Sequence, residues 1–327
     1  MKERPNGPGA PDDDAIRAAL RAWDIDARPR HLPVGFGDHH WSATAADGTR
    51  WFVTVFDLTQ KGHADPDPGT VREVVGRALE TARLLRARAG LDFVVASLPD
   101  RDGAILRPLG ERYAVAVFPW LDGIAGEYER EDDPAVRLRT VEMLAALHRA
   151  PVPAVAPVLP DGPARRAELH RAIADAARPW SGGPFAEPAR EALADVRLGE
   201  WLEEYDRRCR ALRERGAAPV LTHGEPHPGN VLRQGDRSVL IDWDTVAVAF
   251  PERDLWHVAR EPAEFDRYTE LTGRTPDAAA LALYELRWDL EDLAAYLEWF
   301  RGPHTRSADT ELAWEGFARA ARRLADG

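Results

Sequence analysis

Apolar and polar positions change their period along the chain, and the changes divide it. Residues 12–27 carry apolar groups at helical spacing and suggest a short helix. From 32 to 57 the period shortens to two. LPVGFGDHHWSATA and RWFVTVF alternate across the turn Asp47-Gly48, which predicts a hairpin entered through a glycine-bearing loop. Helical spacing returns between Gly69 and Gly90, with Val71, Val74, Val75, Ala78, Leu79, Ala82 and Leu85 on one stripe and Gly90 as the stop. Two apolar runs, DFVVASL and YAVAVF, then read as strands. They lead through Phe118 to Pro119-Trp120-Leu121-Asp122-Gly123, which reads as a hinge.

Beyond the hinge helical patterns dominate: 134–149, 163–178 and 187–215, then a strand-rich stretch at 219–245, then helices again from about 252. The Pro-rich run APVPAVAPVLPDGPA at 150–164 cannot be regular helix and predicts a surface connector. A β-rich first part followed by a helical second part predicts an α+β, bilobal arrangement with a cleft. The expected division is a disordered start at 1–12, an N-terminal lobe at 13–119 and a C-terminal lobe at 120–327.

Composition narrows the classes. Of 327 residues, 44% are apolar and 30% charged, which suits a soluble globular protein and not a disordered one. The longest apolar stretch, Tyr113 to Leu121, is far short of the roughly 20 residues of a membrane span. The opening MKERPNGPGAPDDD has no apolar core of a signal peptide, so the reading is cytoplasmic. A formal charge of −12 argues against nucleic acid and anionic membranes as partners and is compatible with a cationic small molecule. The single Cys209 sits in a charged helical context and can form no internal disulfide. Lys occurs only at positions 2 and 61.

The chemistry concentrates in LTHGEPHPGNVL at 221–232, followed by Val239-Leu240-Ile241 and Asp242-Trp243-Asp244. A phosphoryl transferase needs an acid to orient the attacking hydroxyl, an Asn shortly after it to share a magnesium ion, and a second carboxylate on a nearby strand to hold that metal. Glu225, Asn230 and Asp242 supply these types in that order. Glu225 would take or orient the hydroxyl proton, and Asn230 would offer its side-chain oxygen, which a hard cation prefers. His223 would brace the loop as part of the catalytic apparatus.

In these residues the chain resembles the aminoglycoside phosphotransferase family, small-molecule kinases on the protein-kinase plan. Their signature is His-Gly-Asp, four residues, Asn, then a strand ending in Ile-Asp. One position departs: Glu225 stands where the family has its catalytic Asp. The resemblance implies ATP or GTP with Mg2+, a small-molecule acceptor, a metal held by Asn230 and Asp242, and Asp244 helping through water or substrate contact. It also makes Val34-Gly35-Phe36-Gly37-Asp38 a shortened phosphate-covering loop, where Gly35 and Gly37 let backbone amides approach phosphate oxygens. Phe118 and Trp120 would flank the base. Asp254, in PERDLWHVAR, matches a family position with a structural role, and LAALH at 144–148 matches a second short signature.

A second departure lies on the strand 51–56. The kinase plan places a Lys there, pairing the α and β phosphates and a helix Glu. The position is Thr54, and the helix carboxylate would be Glu80 or Glu73. Lys61 could replace the missing lysine only if the loop 57–68 folds back, and Arg50 or Arg72 are the other candidates. Near the C-terminus, Glu285, Asp289 and Asp292 share one helix face, while Leu286, Leu290, Leu293 and Leu297 form a core stripe. In the family these helices line the acceptor pocket, so an acidic wall would suit an amino sugar or a basic peptide. The expected activity is phosphoryl transfer from ATP to a hydroxyl of a small cationic molecule, with antibiotic inactivation as a role. Thr54 and Glu225 together keep open a catalytically degenerate, kinase-like nucleotide- or ligand-binding protein.

Overall fold

A strand that is apolar at every position has to be covered on both faces, and YAVAVF is such a strand. In the computed structural model, which describes residues 3–5, 10–35, 37–61, 67–127, 131–216 and 218–326, it is the fifth strand of the chain. The elements leading to it are α1 (Asp13–Leu20), β1 (Ala27–Leu32), β2 (His39–Ala45), β3 (Arg50–Asp57), α2 (Pro68–Arg88), β4 (Arg107–Leu109) and β5 (Tyr113–Pro119). The strands form one antiparallel sheet in the order β1-β2-β3-β5-β4. On one face Trp41, Val53, Val55, Val115 and Val117 pack with Ile16 and Leu20 of α1. On the other, Phe56, Ala114, Ala116 and Phe118 pack with Val71, Val75 and Leu79 of α2. Both helices start on a capping aspartate, Asp12 bonding the Ala15 N–H and Asp67 the Thr70 N–H, with Pro68 in the first turn of α2.

The predicted hairpin is β2 and β3, and its turn works as expected: Gly48 has φ +88, and Asp47 Oδ1 accepts from the Thr49 N–H at 2.9 Å. Three readings need correction. The run 92–98 is not a strand, because its hydrogen bonds go to two different partners: Val95 N–H reaches Leu240 O and Leu98 N–H reaches Val117 O. The helix predicted over 187–215 is two, α5 (Ala186–Ala192) and α6 (Leu198–Glu214), separated by a 3-10 turn and by Val196, which turns extended and buries its side chain. The short helix expected over 12–27 stops near residue 23 and gives way to β1. There Ala27 and Pro29 are the buried positions, and the proline is tolerated because β1 is an edge strand. The disorder expected at 1–12 falls partly on residues 1, 2 and 6–9, outside the described residues.

The remaining elements are β6 (Ile124–Ala125), α3 (Pro134–Arg149), α4 (Arg166–Asp175), β7 (Val220–Thr222), β8 (Val231–Gln234), β9 (Arg237–Leu240), β10 (Ala247–Ala249), α7 (Glu252–Val258), α8 (Pro262–Thr272), α9 (Ala278–Arg301) and α10 (Ala308–Asp326). By internal contacts the chain forms two units. The first, Met1–Lys61, Pro66–Leu159 and Ala218–Asp277, joins the sheet to α3, α7, α8 and the short strands β6 to β10, so the boundary expected near 120 lies inside it. The 150–164 connector is irregular as predicted, and within the first unit Arg77 of α2 donates to the Val155 and Ala156 carbonyls. The second unit is built from Pro160–Ala217 and Ala278–Gly327. There α9 packs against α4, α6 and α10, and Phe185, Phe300, Trp314 and Phe317 form an aromatic cluster. Among the described residues no helix is long and apolar enough to cross a membrane.

His39 of β2 is buried, and its Nδ1 finds no hydrogen-bond partner among the described residues. Burial pushes the imidazole down to about 4, so the fold holds it neutral while the unfolded chain protonates it below about 6.5. The unfolded state thus binds the extra proton, and the contribution to stability is full above pH 6.5 and lost as pH falls toward 4. The thermal midpoint is expected to drop across that window, with up to ~3 kcal/mol assigned to this histidine. His39→Gln should flatten the drop; an unchanged pH slope in the variant would contradict the assignment.

Candidate active site

One buried carboxylate organises the motif loop. Asp254, in the first turn of α7, is fully buried and accepts the backbone N–H of His223 at 2.8 Å and of Gly224 at 2.7 Å. Its Oδ2 also lies 3.0 Å from His148 Nε2 on α3, whose Nδ1 lies 2.9 Å from the Tyr268 hydroxyl of α8. A carboxylate accepts only, so Nε2 carries a proton and donates to Asp254. Burial would raise the Asp254 carboxyl; the His148 hydrogen bond, with the Arg253 charge, outweighs it and holds Asp254 below the ordinary carboxylate range. Gly224 has φ +105, and a Cβ there would fall 2.5 Å from the Arg253 guanidinium, so no side chain fits. Arg253 in turn donates to Thr222 Oγ1 and to the Thr245 carbonyl.

The candidate residues of the loop are held on this frame. His223 is buried; its Nε2 donates to Ile241 O at 3.0 Å and its Nδ1 accepts the Glu225 N–H at 3.3 Å, a pattern only a neutral ring can make. Burial lowers its pKa accordingly. The 3-10 turn Pro228–Asn230 closes the loop. Asn230 commits its Nδ2 to Glu225 O at 2.9 Å, and that nitrogen lies 3.2 Å from His227 Nε2, which leaves Oδ1 as the oxygen available to a cation. Ile241 N–H bonds Asn230 O at 3.0 Å, so Asp242 follows directly from the Asn230 turn. Asp242 itself has φ +66 and ψ +65, a left-handed conformation a non-glycine residue rarely adopts, and it starts the 3-10 turn Trp243–Thr245.

Carboxylates crowd this end of the strand. Loss of hydration among surrounding protein atoms, then the charges of Asp244, Glu225 and Asp38, push the Asp242 carboxyl well above its ordinary range. The residue itself sits at an exposed edge, where the charge of Lys61 opposes the rise. Asp244 is buried, yet it stays below the ordinary range because Lys61 Nζ lies 2.5 Å from its Oδ2. The same ammonium lies 2.6 Å from Asp38 Oδ2. Burial raises Asp38 to about 6 even beside Lys61, and the Asp244 charge adds to the rise.

The other predicted residues are placed as follows. Gly35 and Gly37 have φ +73 and +92, and a Cβ on Gly35 would come within 3.0 Å of His40 Nε2; Phe36 between them lies outside the described residues. Thr54 is buried on β3 with its hydroxyl 3.4 Å from His40 Nδ1. Glu80 is bonded to Arg83 one turn along α2. Phe118 is buried; Trp120 lies 3.7 Å under the Arg50 guanidinium and donates to Asp122. On α9, Asp289 is buried and bonded to Arg323 of α10, Glu285 is exposed and Asp292 half-buried. Sequence reading did not bring Asp38 into this set, nor foresee that Asp254 and His148 meet. The PERDLWH and LAALH segments carried the signal for the second pair.

The donor set fits magnesium. Among the described residues no group of three or more His, Cys, Asp or Glu is arranged to hold a metal. Asp242 and Asn230 offer a carboxylate and an amide oxygen, and magnesium takes one or two such protein ligands and completes its shell with phosphates and water.

Known proteins share sequence and fold with this chain. Residues 30–299 match the profile of the phosphotransferase enzyme family. Protein StrN of Streptomyces griseus is 32% identical over 252 residues, 72% of this chain and 74% of StrN. Among solved structures, spectinomycin phosphotransferase APH(9)-Ia, in complex with ADP and spectinomycin, superposes with a TM-score of 0.69 over 97% of this chain and 99% of that one, at 16% identity. Amicoumacin kinase hAmiN, in complex with AMP-PNP, Ca2+ and Ami, gives a TM-score of 0.59 over 97% and 94%, at 13% identity. The shared fold is the protein-kinase-like one, a sheet-rich N-terminal region with a helical C-terminal part.

Removing the buried anchor leaves two backbone donors and His148 in the interior with nothing to accept from them. Asp254→Ala should lower unfolding free energy by roughly 3 kcal/mol or more in urea titration, because unpaired buried donors are costly. Asp254→Asn, which keeps the shape and one acceptor, should lose less. Equal, small losses for both would remove the anchoring role.

Proposed function

The chain belongs to the phosphotransferase enzyme family and is a small-molecule phosphotransferase, and from its site we propose that it moves the γ-phosphoryl group of ATP or GTP, with Mg2+, to a hydroxyl of a small, polar, cationic molecule. The observation that carries this reading is the 223–230 loop, held by Asp254 and His148, with Glu225, Asn230 and Asp242 in sequence along bonded backbone. Antibiotic inactivation is the role we assign, supported by the spectinomycin and amicoumacin enzymes that share the fold. A cytoplasmic site of action belongs to the same proposal, because the co-substrate is a nucleoside triphosphate.

In the reaction the acceptor oxygen forms a bond to the γ-phosphorus as the bond from that phosphorus to the β,γ-bridging oxygen breaks, and the nucleoside diphosphate leaves. Glu225 receives the hydroxyl proton. Asp242 and the Asn230 oxygen would hold a magnesium ion, which would neutralise charge on the phosphate oxygens. Gly35 and Gly37 offer backbone amides to the phosphates without side chains in the way, and Phe118 and Trp120 mark the strand end where the base would lie. His223 keeps Glu225 and the Asp242 strand in register by bonding both. A Glu in place of Asp extends the carboxylate by one methylene, and the loop's fixed backbone decides whether that reach is productive. On α9, Asp289 is bonded to Arg323 of α10, which takes its charge out of the acceptor proposal.

Nucleoside diphosphate release with spectinomycin and other amino-bearing acceptors tests the assignment. Asp242→Ala should abolish transfer. Glu225→Gln should lower kcat by about 10²- to 10⁴-fold, the usual share of general base catalysis, with nucleotide affinity little changed. Glu225→Asp should retain activity or raise it. Turnover at the wild-type rate in Asp242→Ala would show the mechanism to be wrong.

A further inference from the structure

The family plan needs a cation on the phosphates, delivered from the third strand and steadied by a carboxylate. Here that strand position holds Thr54, whose hydroxyl faces His40. The alternative cation Arg50 is engaged elsewhere, stacked on Trp120 and 3.3 Å from Asp122. Glu80, the helix carboxylate, is taken up by Arg83.

Lys61 sits in the turn beyond the end of β3, and its side chain is only 19% exposed. Its ammonium bridges two places that matter: Asp38, directly after the glycines of the phosphate loop, at 2.6 Å, and Asp244, two residues after the metal carboxylate Asp242, at 2.5 Å. Those are the loop and the strand end between which a triphosphate has to lie in this reaction. A long flexible stem lets the ammonium exchange a carboxylate partner for a phosphate oxygen without moving backbone. Lys61 is also the lysine the sequence retains outside its extreme start.

Resting on the phosphotransferase reading, we propose that Lys61 is the phosphate-binding lysine of this enzyme, relocated from β3 to the turn that follows it, with Asp38 in place of the helix carboxylate as its steadying partner. Asp244 holds the ammonium in the nucleotide-free protein. Thr54 and His40 then fill the space on β3 that the strand lysine would otherwise occupy.

The test separates phosphate binding from base binding. Affinities of the full chain for Mg-AMP-PNP and Mg-GMP-PNP, and for adenosine and guanosine as phosphate-free controls, would be measured by calorimetry for wild type, Lys61→Ala and the double variant Thr54→Lys/Lys61→Ala. Losing one charge-assisted contact to phosphate should weaken triphosphate analogue binding about 10- to 100-fold in Lys61→Ala and leave nucleoside binding unchanged. The double variant should recover part of the loss by returning a lysine to β3. Unchanged analogue affinity in Lys61→Ala, or equal loss for nucleoside and analogue, overturns the assignment of Lys61 while leaving the phosphotransferase reading in place. Failure of the wild type to bind either analogue overturns both. Circular dichroism on each variant, and Lys61→Arg as a charge-retaining control with intermediate affinity, keep loss of fold from passing as loss of contact.

Discussion

The site depends on one buried negative charge. Asp254 is fully buried and far from the reacting atoms in sequence, yet it takes the two backbone N–H groups that begin the motif loop and the imidazole of His148. An isolated carboxylate at that depth would be protonated; the hydrogen bonds keep it ionised, and in keeping it ionised they fix the loop. Everything downstream inherits that position. His223 passes it to the Ile241 carbonyl and the Glu225 N–H, and Asn230 passes it to Asp242 through the Ile241 N–H. The chemistry is thus built on backbone that cannot shift without exposing unpaired donors in the interior.

The electrostatics divide the work differently. Loss of hydration, with the Asp244 charge added to it, raises Asp242 and Asp38 above the ordinary carboxylate range. A cluster of that kind is poised for cations, because a metal ion or an ammonium relieves repulsion that the folded chain already contains. Lys61 supplies part of the relief from within. The separation of roles is physical: Asp254 sets geometry from a dry interior, and the carboxylates grouped around the exposed Asp242 set charge.

The fold was legible where period and caps agree. α2 and α3 lie within two residues of their predicted bounds because Asp67-Pro68 and Asp133-Pro134 announce their starts. β1 was not legible because its buried face is Ala and Pro, which carry little strand signal. The 92–98 run misled because apolar composition does not reveal that its hydrogen bonds divide between Leu240 and Val117. In the site, the residue types of the 223–242 segment and its spacing were readable, as was the absence of lysine on β3. Pairings across long sequence separation were not. His148 meets Asp254 across 106 residues and Lys61 meets Asp244 across 183, and local patterning says nothing about such contacts.

The claim that the braced loop and Asp242 form a working magnesium-nucleotide site is tested most directly by the thermal midpoint of the purified chain with Mg-ATP or Mg-GTP, beside the same nucleotide in EDTA. A ligand bound by the native state alone raises the midpoint by mass action, by about 2.7 kcal/mol of stability at a hundredfold excess over Kd. The account predicts a rise with at least one nucleotide that EDTA removes. No rise at millimolar nucleotide, or a rise indifferent to EDTA, would contradict it.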